Sequence, residues 1–272
     1  GSIEGYEGGQ EISREEFFAT KADIFIPAAL ENQVGAEEAQ ALDCSVVIEG
    51  AKEGLGRWLG AAIYTERALP NLRGGGEYGA EWHKAGMMEN KQNTFDDCIA
   101  AAEWLIDNGY TNSDRLGVAG GSNGGLLTGA MITQRPDLFA AVECHVPLLD
   151  MLNYQDFLMA RYCVPEYGSS EDPEQFETLL AYSPYQNIET GVEYPAIFLT
   201  AGENDTRVHA YHARKMAAAL QNATASSPSE DPVLLWVDRK AGHGGGKSLD
   251  QRVRDTADRR IFMMRQLGMI EE

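Results

Sequence analysis

From residue 90 onward, apolar and polar positions alternate between two periods. Phe95, Cys98, Ile99, Ala102, Leu105 and Ile106 recur at helical spacing, on one face of a helix that Asn93 or Thr94 can cap and Gly109 ends. The short apolar run Leu116-Gly117-Val118-Ala119 lies between turn residues and predicts a buried strand, and 126–134 predicts a helix stopped near Pro136. Further strands are expected over 141–146, 195–200 and 233–237. A helical run covers 208–220, and a closing helix runs from about 249 to 267 with Val253, Ala257, Ile261 and Met264 on its buried side. Helices alternating with buried strands predict an α/β fold, a doubly wound and mostly parallel sheet with helices on both faces.

The first seventy residues are less regular. Residues 1–20 are acidic and glycine-rich and are expected to form a mobile N-terminal segment. Ile24-Phe25-Ile26 and 44–48 read as early strands, and 31–41 favours helix. The expected organisation is a single catalytic domain over 21–272, with 150–190 inserted between two strands. That insertion carries Tyr154, Phe157, Tyr162, Tyr167, Phe176, Tyr182 and Tyr185 without clear periodicity. There is no internal repeat.

The chemistry starts at Gly120-Gly121-Ser122-Asn123-Gly124, a G-x-S-x-G element between a predicted strand and a predicted helix. A turn that sharp presses backbone on backbone, and glycines on either side of the serine remove the Cβ atoms that would clash. The hydroxyl is then held out at the strand's carboxyl end. A glycine-rich turn that merely contains serine fits the same residues. A serine hydroxyl needs a histidine to take its proton and a carboxylate to orient that histidine. In the chain order serine, acid, histidine, Asp205 follows one predicted strand and His243 follows the next, so Ser122, Asp205 and His243 form the candidate triad of an α/β-hydrolase. Asp150 also follows a strand and is the rival acid. Among the other histidines, His209 and His212 fall in a helical run, His145 in an apolar run, and His83 precedes the acid, which breaks the order.

Several dispersed motifs accompany the triad: Arg73-Gly74-Gly75-Gly76-Glu77-Tyr78-Gly79, Trp82-His83, Gly121-Ser122-Asn123-Gly124-Gly125, Gln134-Arg135-Pro136-Asp137-Leu138-Phe139 and Lys240-Ala241-Gly242-His243-Gly244. Over 72–267 the chain resembles the catalytic domain of prolyl oligopeptidases. The resemblance implies the α/β-hydrolase fold and the triad above. It also implies that the Asn123 N–H donates to the oxyanion, that Arg207 binds a substrate carbonyl or carboxylate, and that Tyr167 lines the site.

Three departures bear on specificity. A length of 272 residues leaves no room for the family's β-propeller. The stretch taken as counterpart of its Gly-Tyr-Gly-Gly-Phe segment, Val46-Val47-Ile48-Glu49-Gly50-Ala51, lacks the oxyanion tyrosine. Counting back from Tyr167-Gly168 puts Cys163, with Tyr162 beside it, where the family's proline-stacking tryptophan stands. Tyr162, Cys163 and Tyr167 are therefore the residues of the insertion expected to face substrate.

Composition narrows the picture. At 43% hydrophobic the chain can bury a large core, and 22 basic against 42 acidic residues give a net charge of −20, which disfavours nucleic acid and anionic membranes as partners. No run of about 18 apolar residues exists to span a membrane. No basic-then-apolar leader pattern opens the sequence, so a cytoplasmic location is expected, with a removed leader left open. Cys44, Cys98, Cys144 and Cys163 show no metal-ligand spacing, and Cys98 and Cys144 read as buried thiols, so no metal or cofactor is expected. The oligomeric state stays open.

Two function classes fit. One is a serine hydrolase acting on a small ester or short peptide. The three departures favour short-chain esters with weak peptidase activity, and the alternative is a prolyl oligopeptidase-type endopeptidase. The other class is a non-catalytic relic that binds ligands or partners through the cleft, which a fluorophosphonate serine probe distinguishes.

Overall fold

The computed structural model of the chain describes residues 70–244 and 247–270, with the backbone of three earlier strands, β1 (Ala22–Phe25), β2 (Cys44–Val47) and β3 (Ala62–Tyr64). The chain divides into two compact units, Gly1–Trp58 and Leu59–Glu272. The first unit runs past residue 20 to Trp58. In the first unit β1 and β2 run parallel, with Ala22 opposite Cys44. These are the two early strands expected from the sequence. The acidic first twenty residues and the helix expected over 31–41 lie outside the described residues.

The second unit is built on a five-stranded sheet in the order β3-β4-β5-β6-β7, where β4 is Gly117–Gly121, β5 Ala141–His145, β6 Ala196–Gly202 and β7 Val233–Asp238. β3 is antiparallel to β4, and the remaining pairs are parallel. Among the described residues seven helices accompany it: α1 (Ala80–Lys84), α2 (Gln92–Asp107), α3 (Asn123–Gln134), α4 (Val164–Tyr167), α5 (Pro173–Tyr182), α6 (Tyr211–Ala223) and α7 (Leu249–Gln266). Each parallel crossover carries helix, as parallel pairing requires.

Alternation along the strands sorts the core into two layers. Val118, Val142, Cys144, Ile197 and Leu199 join Phe95, Cys98 and Ala102 of α2, Leu126 and Met131 of α3, and Met216 and Leu220 of α6 in one cluster. Ala141 and Ala196 turn the other way and pack with Phe262, Met263 and Leu267 at the end of α7, with Phe198 against them. Helices therefore cover both faces, as predicted. Burial pushes the Cys98 and Cys144 thiols up to about 12, so both are inert apolar fillers.

Two local expectations change. Asn93 and Thr94 do not cap α2, which starts at Gln92. Instead the Asn93 Nδ2 donates to the Ala85 carbonyl at 2.9 Å and the Thr94 hydroxyl to the Arg73 carbonyl at 2.7 Å, fixing the glycine-rich loop before the helix. The closing helix is present, but Val253, Ala257 and Ile261 are exposed and Met264 is only half-buried. The sheet face it covers carries Glu143 and His145 beside Ala141. The inward stripe of α7 is accordingly half polar: the Arg259 guanidinium lies 2.9 Å from His145 Nε2 and 3.5 Å from Glu143, with Phe262 and Met263 further along. A hydrophobic pattern alone selects the wrong face when the strand opposite holds charge.

This rotation is testable by thermal denaturation. Phe262→Ala should cost about 3 kcal/mol or more, as for a large core truncation. Val253→Gln and Ile261→Gln should each stay within roughly 0.5 kcal/mol of wild type. Equal losses at all three positions would contradict the helix phase described here.

Candidate active site

The register of the parallel strands aligns Gly121, His145, Thr200 and Trp236 in one row near the carboxyl edge of the sheet. Ser122 emerges one residue beyond that row, between β4 and α3, with φ 60° and ψ −113°. That conformation costs a non-glycine residue about 1–3 kcal/mol and persists only where its surroundings enforce it. Here the Ser122 N–H donates to the His145 carbonyl at 2.9 Å, so the turn stays tied to the neighbouring strand. A Cβ on Gly120 would lie 2.1 Å from the Gly124 carbonyl oxygen, so only glycine allows β4 and α3 to approach this closely. Asn123 opens α3, and its N–H belongs to the first turn, where no intrahelical acceptor exists.

The acid and the histidine come from the loops after β6 and β7. Asp205 is almost wholly buried, and its Oδ1 accepts from the Arg207 and Val208 N–H groups at 2.8 and 2.9 Å. His243 Nδ1 donates to Asp205 Oδ2 at 2.6 Å, which leaves Nε2 as acceptor for the Ser122 hydroxyl at 3.0 Å. Burial alone would raise the Asp205 pKa. The hydrogen bonds from His243, Val208 and Arg207 outweigh burial and hold the carboxyl below its ordinary range, so it is an anion in the folded protein.

What seats the histidine loop was not read from the sequence. Gly202 ends β6, and a Cβ there would stand 2.6 Å from both the Ala241 and Gly242 carbonyl oxygens. Asn204 N–H donates to the Ala241 carbonyl at 3.0 Å, and Asp238 accepts from the Lys240 and Ala241 N–H groups at 2.8 and 3.1 Å. Acid loop and histidine loop thus dock on each other. In the sequence only Gly202, two residues past the 195–200 run, signals this contact.

The rival acid is engaged elsewhere. Asp150 is fully buried and accepts from Lys215 Nζ at 2.6 Å, Gln186 Nε2 at 2.7 Å, Asn153 Nδ2 at 3.0 Å and the Tyr211 hydroxyl. Burial opposes its charge, but the Lys215 ammonium and the three neutral donors outweigh it and lower its pKa strongly. His212 is buried next to it, and its Nδ1 accepts the Asp150 N–H at 3.1 Å. Desolvation lowers its pKa to about 4, so it is a neutral core residue. His145 Nδ1 bonds the Thr200 hydroxyl at 2.9 Å, and His83 Nε2 donates to Glu166 at 2.8 Å.

The other candidate residues differ in exposure and neighbours. Arg207 is exposed beside Asp205. Cys163 is half-buried and within electrostatic reach of Arg207, while Tyr162 is exposed with the Arg161 guanidinium 5.1 Å from its ring centroid. Tyr167 is not on the surface. It is buried edge-on against Tyr154 at 5.5 Å, behind the turn that carries Cys163. Phe157 stacks on Tyr211 at 4.5 Å and lies 5.3 Å from His209, so the insertion packs over the chain just after Asp205. Among the described residues no group of three or more His, Cys, Asp or Glu side chains could hold a metal ion, and no helix is long and apolar enough to cross a membrane.

A parallel sheet with a strained serine turn at its carboxyl edge, flanked by helices on both faces, is the α/β-hydrolase fold, and its Ser–His–Asp chain is the arrangement of serine hydrolases. Residues 66–269 match the prolyl oligopeptidase family profile, and the chain belongs to that family. It is 45% identical over 191 residues to a prolyl endopeptidase of Dictyostelium discoideum, covering 70% of this chain and 25% of the relative. With a prolyl endopeptidase of Elizabethkingia miricola the identity is 43% over 203 residues, covering 74% and 28%. Among solved structures, a prolyl endopeptidase superposes with TM-score 0.70 at 48% identity, over 73% of this chain and 29% of its own. Prolyl oligopeptidase B of Galerina marginata, bound to a 35mer hydrolysis and macrocyclization substrate, superposes with TM-score 0.70 at 39% identity, over 73% and 28%. The chain thus spans between a quarter and a third of the length of these relatives. Residues 1–56 are similar to a different family, the Glutamate/Leucine/Phenylalanine/Valine dehydrogenases. The two matches do not overlap, and the boundary between the structural units falls between them.

Two outcomes check this geometry. Gly202→Ala should lower the rate of Ser122 acylation by at least roughly tenfold, because its Cβ displaces the backbone that seats His243; stopped-flow phosphonylation measures it, and a wild-type rate would contradict the docking. For His212 the unfolded chain binds a proton near pH 6.5 and the folded chain only near 4. Stability therefore falls as pH drops from 6.5 to 4, by on the order of 3 kcal/mol. His212→Gln should flatten that part of the pH–stability curve, and a parallel curve would show that His212 does not contribute.

Proposed function

We propose that residues 66–269 form a serine peptidase catalytic unit of the prolyl oligopeptidase type, acting on peptides by acyl transfer to Ser122. The reading is carried by one observation: the unbroken Asp205–His243–Ser122 hydrogen-bonded chain in a protein of this family. The Ser122 hydroxyl attacks the substrate carbonyl while His243 Nε2 accepts its proton. Asp205 holds the Nδ1 tautomer and stabilises the imidazolium. The Asn123 N–H donates to the carbonyl oxygen as it becomes an oxyanion. His243 then protonates the leaving amine, and water, deprotonated by the same nitrogen, releases the acid. Arg207, exposed beside the acid, offers paired N–H donors to a substrate carbonyl or carboxylate.

Ester hydrolysis is the second reading, and the specific observation favouring it is Cys163 in place of a flat aromatic ring. The two other supports for it lapse. The stretch 46–51 lies in the segment similar to dehydrogenases, so it is not the counterpart of the family's tyrosine-bearing segment. A chain spanning about a quarter of its relatives carries no information on a propeller. Peptide cleavage, the activity in the names of the relatives, therefore ranks first.

A panel of proline and non-proline peptide amides beside p-nitrophenyl esters of increasing length decides between them. The peptide reading expects a proline amide to be cleaved with kcat/KM at least comparable to that of the best ester. A panel in which only esters turn over overturns it. Ser122→Ala and His243→Ala should lose at least roughly 10³-fold in either assay, with Asp205→Asn retaining more. A wild-type protein that does not react with a fluorophosphonate would instead support a non-catalytic binding role.

A further inference from the structure

Behind the Cys163 turn lies a buried polar cluster that the acyl-transfer steps do not use. Lys91 is 1% exposed, and its Nζ donates to Glu166 Oε1 at 3.1 Å and stands 5.2 Å from the Tyr167 ring centroid. The other carboxylate oxygen of Glu166 accepts from His83 Nε2 at 2.8 Å. Around this pair lie Tyr154, whose hydroxyl donates to the Gly168 carbonyl at 2.5 Å, and Tyr182, whose buried hydroxyl has no hydrogen-bond partner. The cluster joins the residue before α2 to α1, α4 and the end of α5.

A buried ammonium loses several kcal/mol of hydration, and an apolar residue of similar volume is often at least as stable in such a place. Simple packing does not call for lysine here. What Lys91 contacts is more telling. Glu166 and Tyr167 sit on α4, the single turn directly after Cys163, and Cys163 is within electrostatic reach of Arg207 beside the catalytic acid. A four-residue helix has too few internal hydrogen bonds to hold its own orientation, so an external tie has to supply it.

We infer that Lys91 is a positioning residue which, through Glu166 and the face of Tyr167, holds the 160–168 turn as a fixed wall of the substrate pocket beside Arg207. The inference rests on the peptidase reading only where it calls that wall part of a substrate pocket; the tether itself is independent of substrate. His83 secures the second oxygen of the same carboxylate from the exposed side. Loss of the ammonium frees Glu166, loosens the turn and uncovers Cys163, while the triad, held by the strand ends, is unaffected.

The test replaces Lys91 with methionine, and separately Glu166 with glutamine. Two readouts are taken: iodoacetamide alkylation of Cys163, mapped by mass on its peptide, and steady-state cleavage of a peptide amide. Lys91→Met is expected to speed Cys163 alkylation at least roughly fivefold and raise KM about tenfold, with kcat changed less than about threefold. Cys98 and Cys144 should stay protected, which separates a loosened turn from general unfolding. Lys91→Arg should restore both values in part. Wild-type alkylation and KM in folded Lys91→Met overturn the inference. If Lys91→Met does not fold, wild-type values in Glu166→Gln overturn it equally. If no peptide is cleaved even by the wild type, the peptidase reading fails, and Cys163 alkylation alone then decides the tether.

Discussion

The parallel register of β4 to β7 is the constraint on which everything functional depends. Parallel pairing sets the strands in one direction, so each must be followed by a connection that starts at the same edge. The row Gly121, His145, Thr200 and Trp236 marks that edge, and serine, acid and histidine all emerge just past it. No local interaction between the three side chains could collect them from such distant parts of the chain. The sheet brings their loops together, and short backbone contacts then set the final geometry. Gly120 against Gly124 fixes the serine turn, and Gly202 against Ala241 and Gly242 fixes the histidine loop.

The two faces of this sheet are held differently. On the side of α2, α3 and α6 the core is apolar and close-packed. On the side of α7 it is divided between a small apolar cluster and a charged layer, in which buried Glu143 meets His145, Arg259 and Arg260. Burial would raise the Glu143 pKa, but the hydrogen bond to His145 and the Arg259 and Arg260 guanidinium groups outweigh it and hold the carboxyl below the ordinary value. The carboxylate sits two residues before the end of β5, whose last carbonyl receives the Ser122 N–H. The charged layer thus lies directly under the strained turn. Away from both faces, the Lys215–Asp150 pair ties α6 to the loop after β5.

Residues 1–56 and 66–269 have different affinities among known proteins, and the boundary between structural units falls between them. Departures from the family pattern count only within the second segment. Cys163 falls within that segment, next to the turn whose Glu166 is bonded to Lys91. The missing tyrosine near residue 48 does not.

The order of elements, the convergence of Ser122, Asp205 and His243 and the burial of Cys98 and Cys144 were legible in the sequence, because each depends on local period or on chain order along a parallel sheet. The helix α2 shows this, its apolar stripe falling on the buried side with only its cap misassigned. What the sequence could not fix were choices that depend on what lies opposite. The stripe on α7 was misread because its partner strand presents Glu143 and His145. Tyr167 is expected from the sequence to face substrate, whereas in the fold it is buried against Tyr154 and Lys91. Asp150 and Asp205 both follow strands, and only the fold shows one paired with Lys215 and the other with His243. Periodicity records how a segment repeats against itself. The partner across the interface is chosen by tertiary contact, and there charge and close backbone approach outweigh local pattern.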